Sequence, residues 1–159
     1  MFHVKQYLLL HDLVRFLKTQ NISLASIQLQ QLESYYTELE SFASKMNLVS
    51  ARDKSFIIEH HFLPSFYYYH YLQYEEALST KRILDLGTGA GFPGVVLAIA
   101  DSKIKITLID SSRKKTLFLR NLKTKLNLQT EIICDRVENL AYSSLDKYDI
   151  IVARAVADI

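Results

Sequence analysis

All four glycines of this 159-residue chain lie within eight consecutive positions, at 87, 89, 91 and 94. They closely follow an apolar run that ends in Asp85 and Leu86. Glycine tolerates positive φ angles and lets the backbone approach a ligand closely, so a glycine-rich turn between a strand and a helix forms the floor of a site for a nucleotide-like molecule. In open α/β sheets such sites lie beyond the carboxyl ends of the strands. We therefore expect an α/β fold with a ligand site at this loop.

The spacing of the apolar residues changes near residue 80. Before that point they recur at steps of three and four, which is typical of amphipathic helices. After it, short apolar runs alternate with helical stretches, which indicates β-α-β units around a parallel sheet. We expect an N-terminal helical region over residues 1–80 and a Rossmann-like domain over residues 81–159.

The Rossmann-like part is expected to contain four strands and the helices that connect them. The apolar runs predict strands at 82–86, 105–109, 131–134 and 148–153. One helix is expected over 93–100, because a proline suits the first turn, where its missing N–H has no intrahelical partner to lose. The next is expected over 113–126, with Ser111 or Ser112 as its N-cap and Asn127 as its end.

Two helices are expected in the N-terminal region. The first is capped by Ser23 or Ser26 and ends at Asn47. The second begins after Asp53, a good N-cap residue, and continues until Pro64 kinks or ends it, because proline lacks the N–H of an interior helical position.

Five ring-bearing residues follow in a row, Tyr67 to Tyr71, with Phe66 before them. Aromatic faces stack well on nucleic-acid bases, so the run is compatible with a base-binding surface. Packing between the two halves of the protein is the interpretation that we favour.

Composition narrows the class of protein. Cys134 is the single cysteine, which excludes an internal disulfide framework and favours the reducing cytoplasm. The longest apolar stretches, such as Val95 to Ala100, are far shorter than the roughly 20 residues that cross a bilayer, so no membrane partner is expected. No metal ion is expected either. The net charge of +2 is compatible with a nucleic-acid partner without requiring one.

The charge of the glycine loop bears on its cofactor. Gly89 to Gly94 also matches the G-x-G-x-x-G pattern of dinucleotide sites, with Asp110 following about 20 residues later. A pyrophosphate needs free N–H groups at a helix start, but Pro93 removes one of them and Asp85 brings a negative charge close. S-adenosylmethionine has no phosphate and carries a cationic sulfonium, so we favour it. NAD, or a glycine turn without a ligand, remains the alternative, and Asp110 suits ribose hydroxyls with either cofactor.

A series of short blocks along nearly the whole chain carries a resemblance to a known family. The blocks are Met46 to Asp53, His60 to Leu63, Leu84 to Gly94, Ile109 to Ser111 with Lys114 and Lys115, Arg136 to Glu138, and Ala153 to Ala157. In content and order they resemble the ribosomal RNA small subunit methyltransferase G family, also called RsmG or glucose-inhibited division protein B. Pro64 stands where many relatives have Asp.

The resemblance implies a Rossmann-like S-adenosylmethionine-dependent methyltransferase that modifies guanine N7 in 16S rRNA of the small ribosomal subunit. It implies that Gly87 and Phe92 contact the methyl donor, that Val137 and Glu138 flank its adenine, and that Arg154 belongs to the same site. The predicted cofactor-binding residues, from the loop and from the resemblance together, are Asp85, Gly87, Gly89, Gly91, Phe92, Asp110, Val137, Glu138 and Arg154.

Methylation at guanine N7 requires no general base, because N7 already has an available lone pair. Catalysis then rests on alignment of the reacting atoms and on a site that tolerates the transfer of charge. We therefore assign no catalytic nucleophile. His60 and His61 are expected to be structural residues, and Cys134 is expected to pack in the core.

Six basic residues and no acidic one lie between 113 and 125. Two interpretations are open, an RNA-facing surface and a solvated helix face. The resemblance favours RNA binding for Lys114 and Lys115.

The family relatives continue for several strands and helices beyond the block at Ala153 to Ala157. We therefore expect a C-terminally incomplete sheet, with an unpaired edge on the fourth strand. An inactive remnant that binds S-adenosylmethionine or RNA without turnover is the alternative to an active enzyme. The oligomeric state is not predicted.

Overall fold

A parallel β-sheet forms the centre of the protein. The computed structural model describes residues 2–46, 48–50, 52–74, 78–140 and 145–154, and within these the sheet has four strands in the order β3-β2-β1-β4. The strands are β1 (Arg82–Leu86), β2 (Lys105–Asp110), β3 (Glu131–Cys134) and β4 (Ile150–Ala153). This is the mixed α/β class that the sequence predicted.

The strands pair in register. Leu84 of β1 is opposite Thr107 of β2 on one side and Ile151 of β4 on the other. The middle of β1, Ile83, Leu84 and Asp85, is fully buried, so both faces of the strand are covered, as is usual in a parallel sheet. β4 begins at 150 and not at 148, because Asp149 is bound to the start of β1 through its side chain, which accepts the N–H of Arg82 at 2.7 Å.

Two helices connect the strands, α4 (Gly94–Ala100) and α5 (Arg113–Leu126). Every residue of α4 is buried. Ser112 caps α5 by accepting a hydrogen bond from the N–H of Lys115, and Asn127 ends the helix in the left-handed conformation with φ of 52°. Both assignments confirm the prediction, since a serine oxygen supplies an acceptor at the helix start and Asn tolerates positive φ.

The N-terminal region contains α1 (Phe2–Thr19), α2 (Ser26–Met46) and α3 (Leu63–Leu72). The predicted capping of α2 by Ser23 or Ser26 is wrong: neither side chain makes a hydrogen bond to the described residues. Ala25, and neither serine, occupies the N-cap position, because its carbonyl accepts the first helical bond from Leu29. The side chain of Gln28 reaches back and accepts the N–H of Ala25 at 2.6 Å, as in one half of a capping box. Asn47, the predicted end of this helix, lies outside the described residues.

Pro64 marks a change of helix type. Asp53 begins a short 3₁₀ turn (Asp53–Ser55) instead of a long helix, and a π-helical segment (Ile58–Phe62) leads into α3. Pro64 therefore lies in the first turn of α3, where its missing N–H is tolerated, so the helical path continues through it. Of the two predicted effects of Pro64, a kink or an end, the end of the helical path is wrong for this reason.

The aromatic run on α3 divides between the core and the surface. Phe66 is fully buried, and Tyr68 and Tyr69 pack against the core, as we expected for most of the run. Tyr67 and Tyr71 are 54% and 71% exposed.

Helix α2 joins the helical region to the α/β part. Tyr35 donates a hydrogen bond to the carbonyl of Ala90 at 2.8 Å, and its ring stacks on Phe92 with ring centres 5.1 Å apart. Gln28 donates to the carbonyls of Ile99 and Ala100, and Gln31 donates to that of Leu126. These carbonyls end α4 and α5 and have no partner within their own helices. One hydrophobic core runs through both regions.

Among the helices that the structure describes, none combines the length and the apolar character that a membrane crossing requires.

The hydroxyl of Tyr35 is expected to stabilise the contact between α2 and the glycine loop. Tyr35→Phe leaves the buried carbonyl of Ala90 without a partner, which costs about 1–3 kcal/mol in the free energy of unfolding. The loss is measured by urea unfolding. Tyr36→Phe is the matched control, because that hydroxyl bonds to Glu40 on the same helix at a less buried position. Equal losses in the two variants would contradict the role given to Tyr35.

Candidate functional site

The carboxylate of Asp85 organises the loop that follows β1. Asp85 is fully buried, and its Oδ2 atom accepts hydrogen bonds from Thr88 Oγ1 at 2.6 Å and from the N–H of Gly94 at 2.8 Å. The bonds join the end of β1 to the middle of the loop and to the first residue of α4. Pro93 occupies the N-cap position of α4 and has no side-chain acceptor. The carboxylate of Asp85, which precedes the loop, supplies an acceptor to the helix start in its place.

Asp85 is an unfavourable residue to bury. Burial raises its pKa from 3.8 to about 6, against the opposing influence of the Thr88 and Gly94 hydrogen bonds and of the nearby Arg154 charge. Its Oδ1 atom is buried and has no hydrogen-bond partner among the described residues. An unpaired buried acceptor costs free energy. Asp85 is buried despite this cost because the hydrogen bonds of its Oδ2 atom maintain the geometry of the loop.

Gly89 and Gly91 of the loop adopt backbone conformations that disfavour a side chain. Gly89 has a φ of 62° and donates its N–H to Asp110 Oδ2 at 2.9 Å. Gly91 has a φ of 111°, and a Cβ atom there would lie 2.8 Å from the hydroxyl of Tyr35. A residue with a side chain would be strained at either position. Gly91 additionally allows α2 to approach the loop.

An open cleft of about 210 Å³ lies beyond the carboxyl ends of β1, β2 and β3. Four of the predicted cofactor-binding residues line it, namely Gly87, Asp110, Val137 and Glu138. Asp135 and Arg136 line it as well. The ionisable side chains of the cleft are thus three carboxyls and one guanidinium, which is a better environment for a cation than for a pyrophosphate.

Asp110 connects the cleft to the glycine loop. It is 8% exposed, its Oδ2 atom accepts the N–H of Gly89, and its Oδ1 atom accepts the N–H of Ser112 at 2.8 Å. The Nζ atom of Lys115 lies 3.9 Å from Oδ2. A carboxylate oxygen accepts more than one hydrogen bond, so Asp110 keeps acceptor capacity toward the cleft.

Phe92 and Arg154 lie on the other side of the loop. Arg154 follows β4, which pairs with β1 on the side opposite β2, and its guanidinium carbon lies 5.4 Å from the centre of the Phe92 ring. The guanidinium donates from Nη1 to the carbonyl of His60 at 2.7 Å and from Nη2 to Nδ1 of His61 at 2.6 Å. The predicted site residues therefore form two groups, one in the cleft and one beside Arg154, with the loop between them.

His61 is held between Phe92, Arg154 and Asp53. Its ring stacks on Phe92 with centres 5.0 Å apart and an interplanar angle of 26°. Burial, and then the charge of Arg154, lower its pKa from 6.5 to about 4. Asp53 accepts a hydrogen bond from His60 Nδ1 at 2.7 Å, and its Oδ2 atom lies 3.9 Å from His61 Nε2. His61 is consequently neutral at physiological pH.

The contacts of Tyr35 and His61 with the loop were missed by the sequence analysis. Both residues come from the helical region, and their partners, Ala90 and Arg154, lie 55 and 93 residues away along the chain. The block at His60 to Leu63 was the available signal for His61, but we interpreted the histidines only as structural residues. For Tyr35 the sequence offered only its place on the apolar stripe of α2.

The two lysines assigned to RNA binding differ in their surroundings. Lys114 is exposed on the first turn of α5. Lys115 is 33% exposed in its side chain and faces Asp110. Farther along α5, Lys125 pairs with Glu38 of α2.

Sequence comparison relates the chain to one family. The family model described as "rRNA small subunit methyltransferase G" matches residues 28–159. A curated protein of Dehalococcoides mccartyi, named ribosomal RNA small subunit methyltransferase G, is 38% identical over 94% of the chain and 63% of its own length. A protein of the same name from Staphylococcus aureus is 38% identical over 89% of the chain and 59% of its own length. The chain thus spans less than two thirds of these relatives.

Structural comparison finds methyltransferase folds. The plantazolicin methyltransferase BpumL, solved in complex with SAH, matches 81% of the chain and 50% of its own with a TM-score of 0.50 at 22% identity. Coclaurine N-methyltransferase, bound to N-methylheliamine and SAH, matches 96% of the chain and 51% of its own with a TM-score of 0.53 at 15% identity. The fold of the chain is that of these methyltransferases.

Gly94 is expected to be the less replaceable of two loop glycines despite its ordinary φ. A Cβ atom at Gly94 would collide with the side chains of Asp85 and Leu108. A Cβ atom at Gly89 would lie in open space, and the only penalty there is the backbone strain of positive φ. Gly94→Ala should lower the free energy of unfolding by about 3 kcal/mol, through overpacking and loss of the Asp85 bond. Gly89→Ala should cost about 1 kcal/mol. Urea unfolding measures both, and a larger loss for Gly89→Ala would show that the Asp85 bond is not the constraint.

His61 is expected to make the protein less stable in mild acid. Because its pKa falls from 6.5 to about 4 on folding, the unfolded chain binds more protons between these values, and stability is lost as pH falls through this window. Asp85 acts in the opposite direction, since its folded pKa is raised to about 6 and its protonated form favours the folded state. His61→Asn leaves the Asp85 contribution in place and removes only the histidine proton.

The free energy of unfolding, measured by urea denaturation, should therefore fall less between about pH 7 and about pH 5 in His61→Asn than in the wild type. The exposed His11 provides the control variant His11→Asn, which should keep the wild-type dependence. Identical pH dependence in all three proteins would mean that His61 is not held neutral by the fold.

Proposed function

Since this chain belongs to the ribosomal RNA small subunit methyltransferase G family, we propose that it binds S-adenosylmethionine in the cleft and serves methyl transfer to guanine N7 of 16S rRNA. The observation that carries the choice of cofactor is that the first N–H groups of α4 are already used. Gly94 donates to Asp85, Val95 donates to the carbonyl of Gly91, and Pro93 has no N–H. The helix start therefore offers little to the pyrophosphate of a dinucleotide.

The cleft suits the chemistry of the cofactor. Its three carboxyls, from Asp110, Asp135 and Glu138, favour a ligand that carries positive charge. We assign Val137 and Glu138 to the adenine, Asp110 to the ribose hydroxyls and the backbone at Gly87 to the floor of the site. Asp85, Gly89 and Gly91 act by shaping the loop, because their hydrogen bonds or spacing maintain its path.

Phe92 and Arg154 lie beside the glycine loop, toward β4. We assign both to the end of the cofactor that bears the methyl group. S-adenosylmethionine, when bound, supplies an activated methyl group on a sulfonium sulfur. The attacking N7 of guanine has its own lone pair, so the protein needs only to align the base and exclude water. The lowered pKa of His61, about 4, makes the ring a weak base, which fits a reaction in which no proton has to be removed.

RNA contact is assigned to Lys114, and more weakly to Lys115. Lys114 is exposed at the start of α5, whose preceding loop borders the cleft. Lys115 faces Asp110 and is less free to reach a phosphate. A ribosomal RNA substrate would set the proposed activity in the cytoplasm, on the small subunit or its RNA.

Calorimetric titration with S-adenosylmethionine tests the cofactor. The wild type should bind, and an excess of NADH should not compete. Gly87→Arg should abolish binding, because it adds a long side chain and a positive charge at the floor of the cleft. Ser102→Arg, in an exposed loop at the opposite end of the sheet, adds the same side chain and should bind normally. Competition by NADH, or no binding by a folded wild type, would overturn the assignment.

Methyl transfer is tested in the same preparations with labelled S-adenosylmethionine and either naked 16S rRNA or small subunits, followed by mapping of 7-methylguanine. Turnover supports the full activity, whereas binding without turnover identifies a chain that holds the cofactor only.

The salt dependence of RNA binding tests Lys114. The slope of log affinity against log salt concentration should be shallower by about 0.7–0.9 in Lys114→Ala than in the exposed Lys103→Ala control, as expected for one lost phosphate contact.

A further inference from the structure

The guanidinium of Arg154 is held by groups from the N-terminal helical region. Arg154 follows β4 directly, but its two hydrogen-bond acceptors, the carbonyl of His60 and Nδ1 of His61, lie on the π-helical segment. Phe92 contacts both His61 and Arg154, because the His61 ring stacks on it and the guanidinium lies over it. The π-helical segment, the glycine loop and the end of β4 are distant in sequence and meet at this guanidinium.

Pro64 contributes to the availability of the His60 carbonyl. His60 lies in the π-helical segment just before α3, and Pro64, four residues later, has no N–H to donate to it. Arg154 Nη1 donates to that carbonyl at 2.7 Å. The proline thus leaves a backbone acceptor for a cation at the point where the π-helical segment meets α3.

Nδ1 of His61 accepts its bond only while the ring is neutral. A guanidinium has donors and no acceptor, so Nδ1 must present its lone pair and the single ring proton lies on Nε2. That Nε2 atom is buried, lacks a hydrogen-bond partner within the described residues and lies 3.9 Å from Asp53 Oδ2. A second proton on the ring would remove the acceptor and set two positive groups side by side.

We propose that His61 is a positioning residue: its Nδ1 atom, held in place by the stacking of the ring on Phe92, orients the guanidinium of Arg154 toward the ligand beside the glycine loop. The proposal rests on the proposed function, in which Arg154 contacts S-adenosylmethionine. His61 itself contacts no ligand and transfers no proton. It makes the binding geometry at the end of β4 depend on a side chain of the helical region.

Two substitutions of His61 separate its hydrogen bond from its ring. His61→Asn keeps an oxygen acceptor near the position of Nδ1 and loses the ring, whereas His61→Phe keeps the stacking on Phe92 and loses the acceptor. His61→Phe should weaken S-adenosylmethionine binding by about tenfold, the effect of losing a hydrogen bond to a charged group. His61→Asn should bind within about threefold of the wild type. Calorimetry measures both, and equal weakening in the two variants would overturn the role of the acceptor.

A double-variant cycle shows whether His61 acts through Arg154. Arg154→Lys removes the two-pronged donor, so His61 then has nothing left to orient. The double variant His61→Phe with Arg154→Lys should bind no more weakly than Arg154→Lys alone. Multiplication of the two single effects would show that His61 contributes independently, and the proposal would be wrong.

A measurement without cofactor keeps the test independent of folding defects and of the proposed function. Nitrogen-15 NMR of wild-type His61 should show an unprotonated Nδ1 and a protonated Nε2 near neutral pH, and Arg154→Lys should change the Nδ1 signal. A ring protonated at Nδ1 would overturn the proposal. If the wild type shows the expected tautomer but does not bind S-adenosylmethionine, the proposed function fails and His61 has no ligand-positioning role. If the wild type binds and His61→Phe binds equally well, only the present proposal fails.

Discussion

The two hydrogen bonds that Asp85 Oδ2 accepts are the constraint on which the ligand-binding side of the protein depends. One carboxylate closes the glycine loop through Thr88 and begins α4 through Gly94. The bonds also decide what the loop offers to a ligand, because they use the helix-start donor that a phosphate would need. An acidic residue at this position therefore determines the path of the chain, and under the proposed function it disfavours an anionic ligand.

The elements nearest the loop could be predicted from the sequence because their determinants are local. The strands follow from apolar runs, the start of α5 follows from Ser112, and its end follows from Asn127. Two expectations failed because the chain uses a different local arrangement. Ala25 and not a serine stands at the N-cap of α2, with its N–H bound by Gln28, and Pro64 follows a π-helical turn and lies in the first turn of α3.

The candidate site was predicted as one set of residues, whereas the structure divides it by the loop. Residues of the same loop face different sides: Gly87 lines the cleft, whereas Phe92 packs against Tyr35 and Arg154. The position of a residue in a sequence motif does not show which side of the loop the residue faces. Nor does it reveal partners from another part of the chain, which is why Tyr35 and His61 could be found only in three dimensions.

The two glutamines of α2 give the protein a cooperative organisation. Gln28 satisfies the last carbonyls of α4 and Gln31 satisfies that of α5, so a single helix holds the ends of two successive β-α-β crossovers. These contacts span 71 and 95 residues, and their loop-closure entropy must be met before they form. We therefore expect α2 to complete its docking only after both crossovers exist. We also expect local opening at one crossover to weaken the other through their shared contacts with α2.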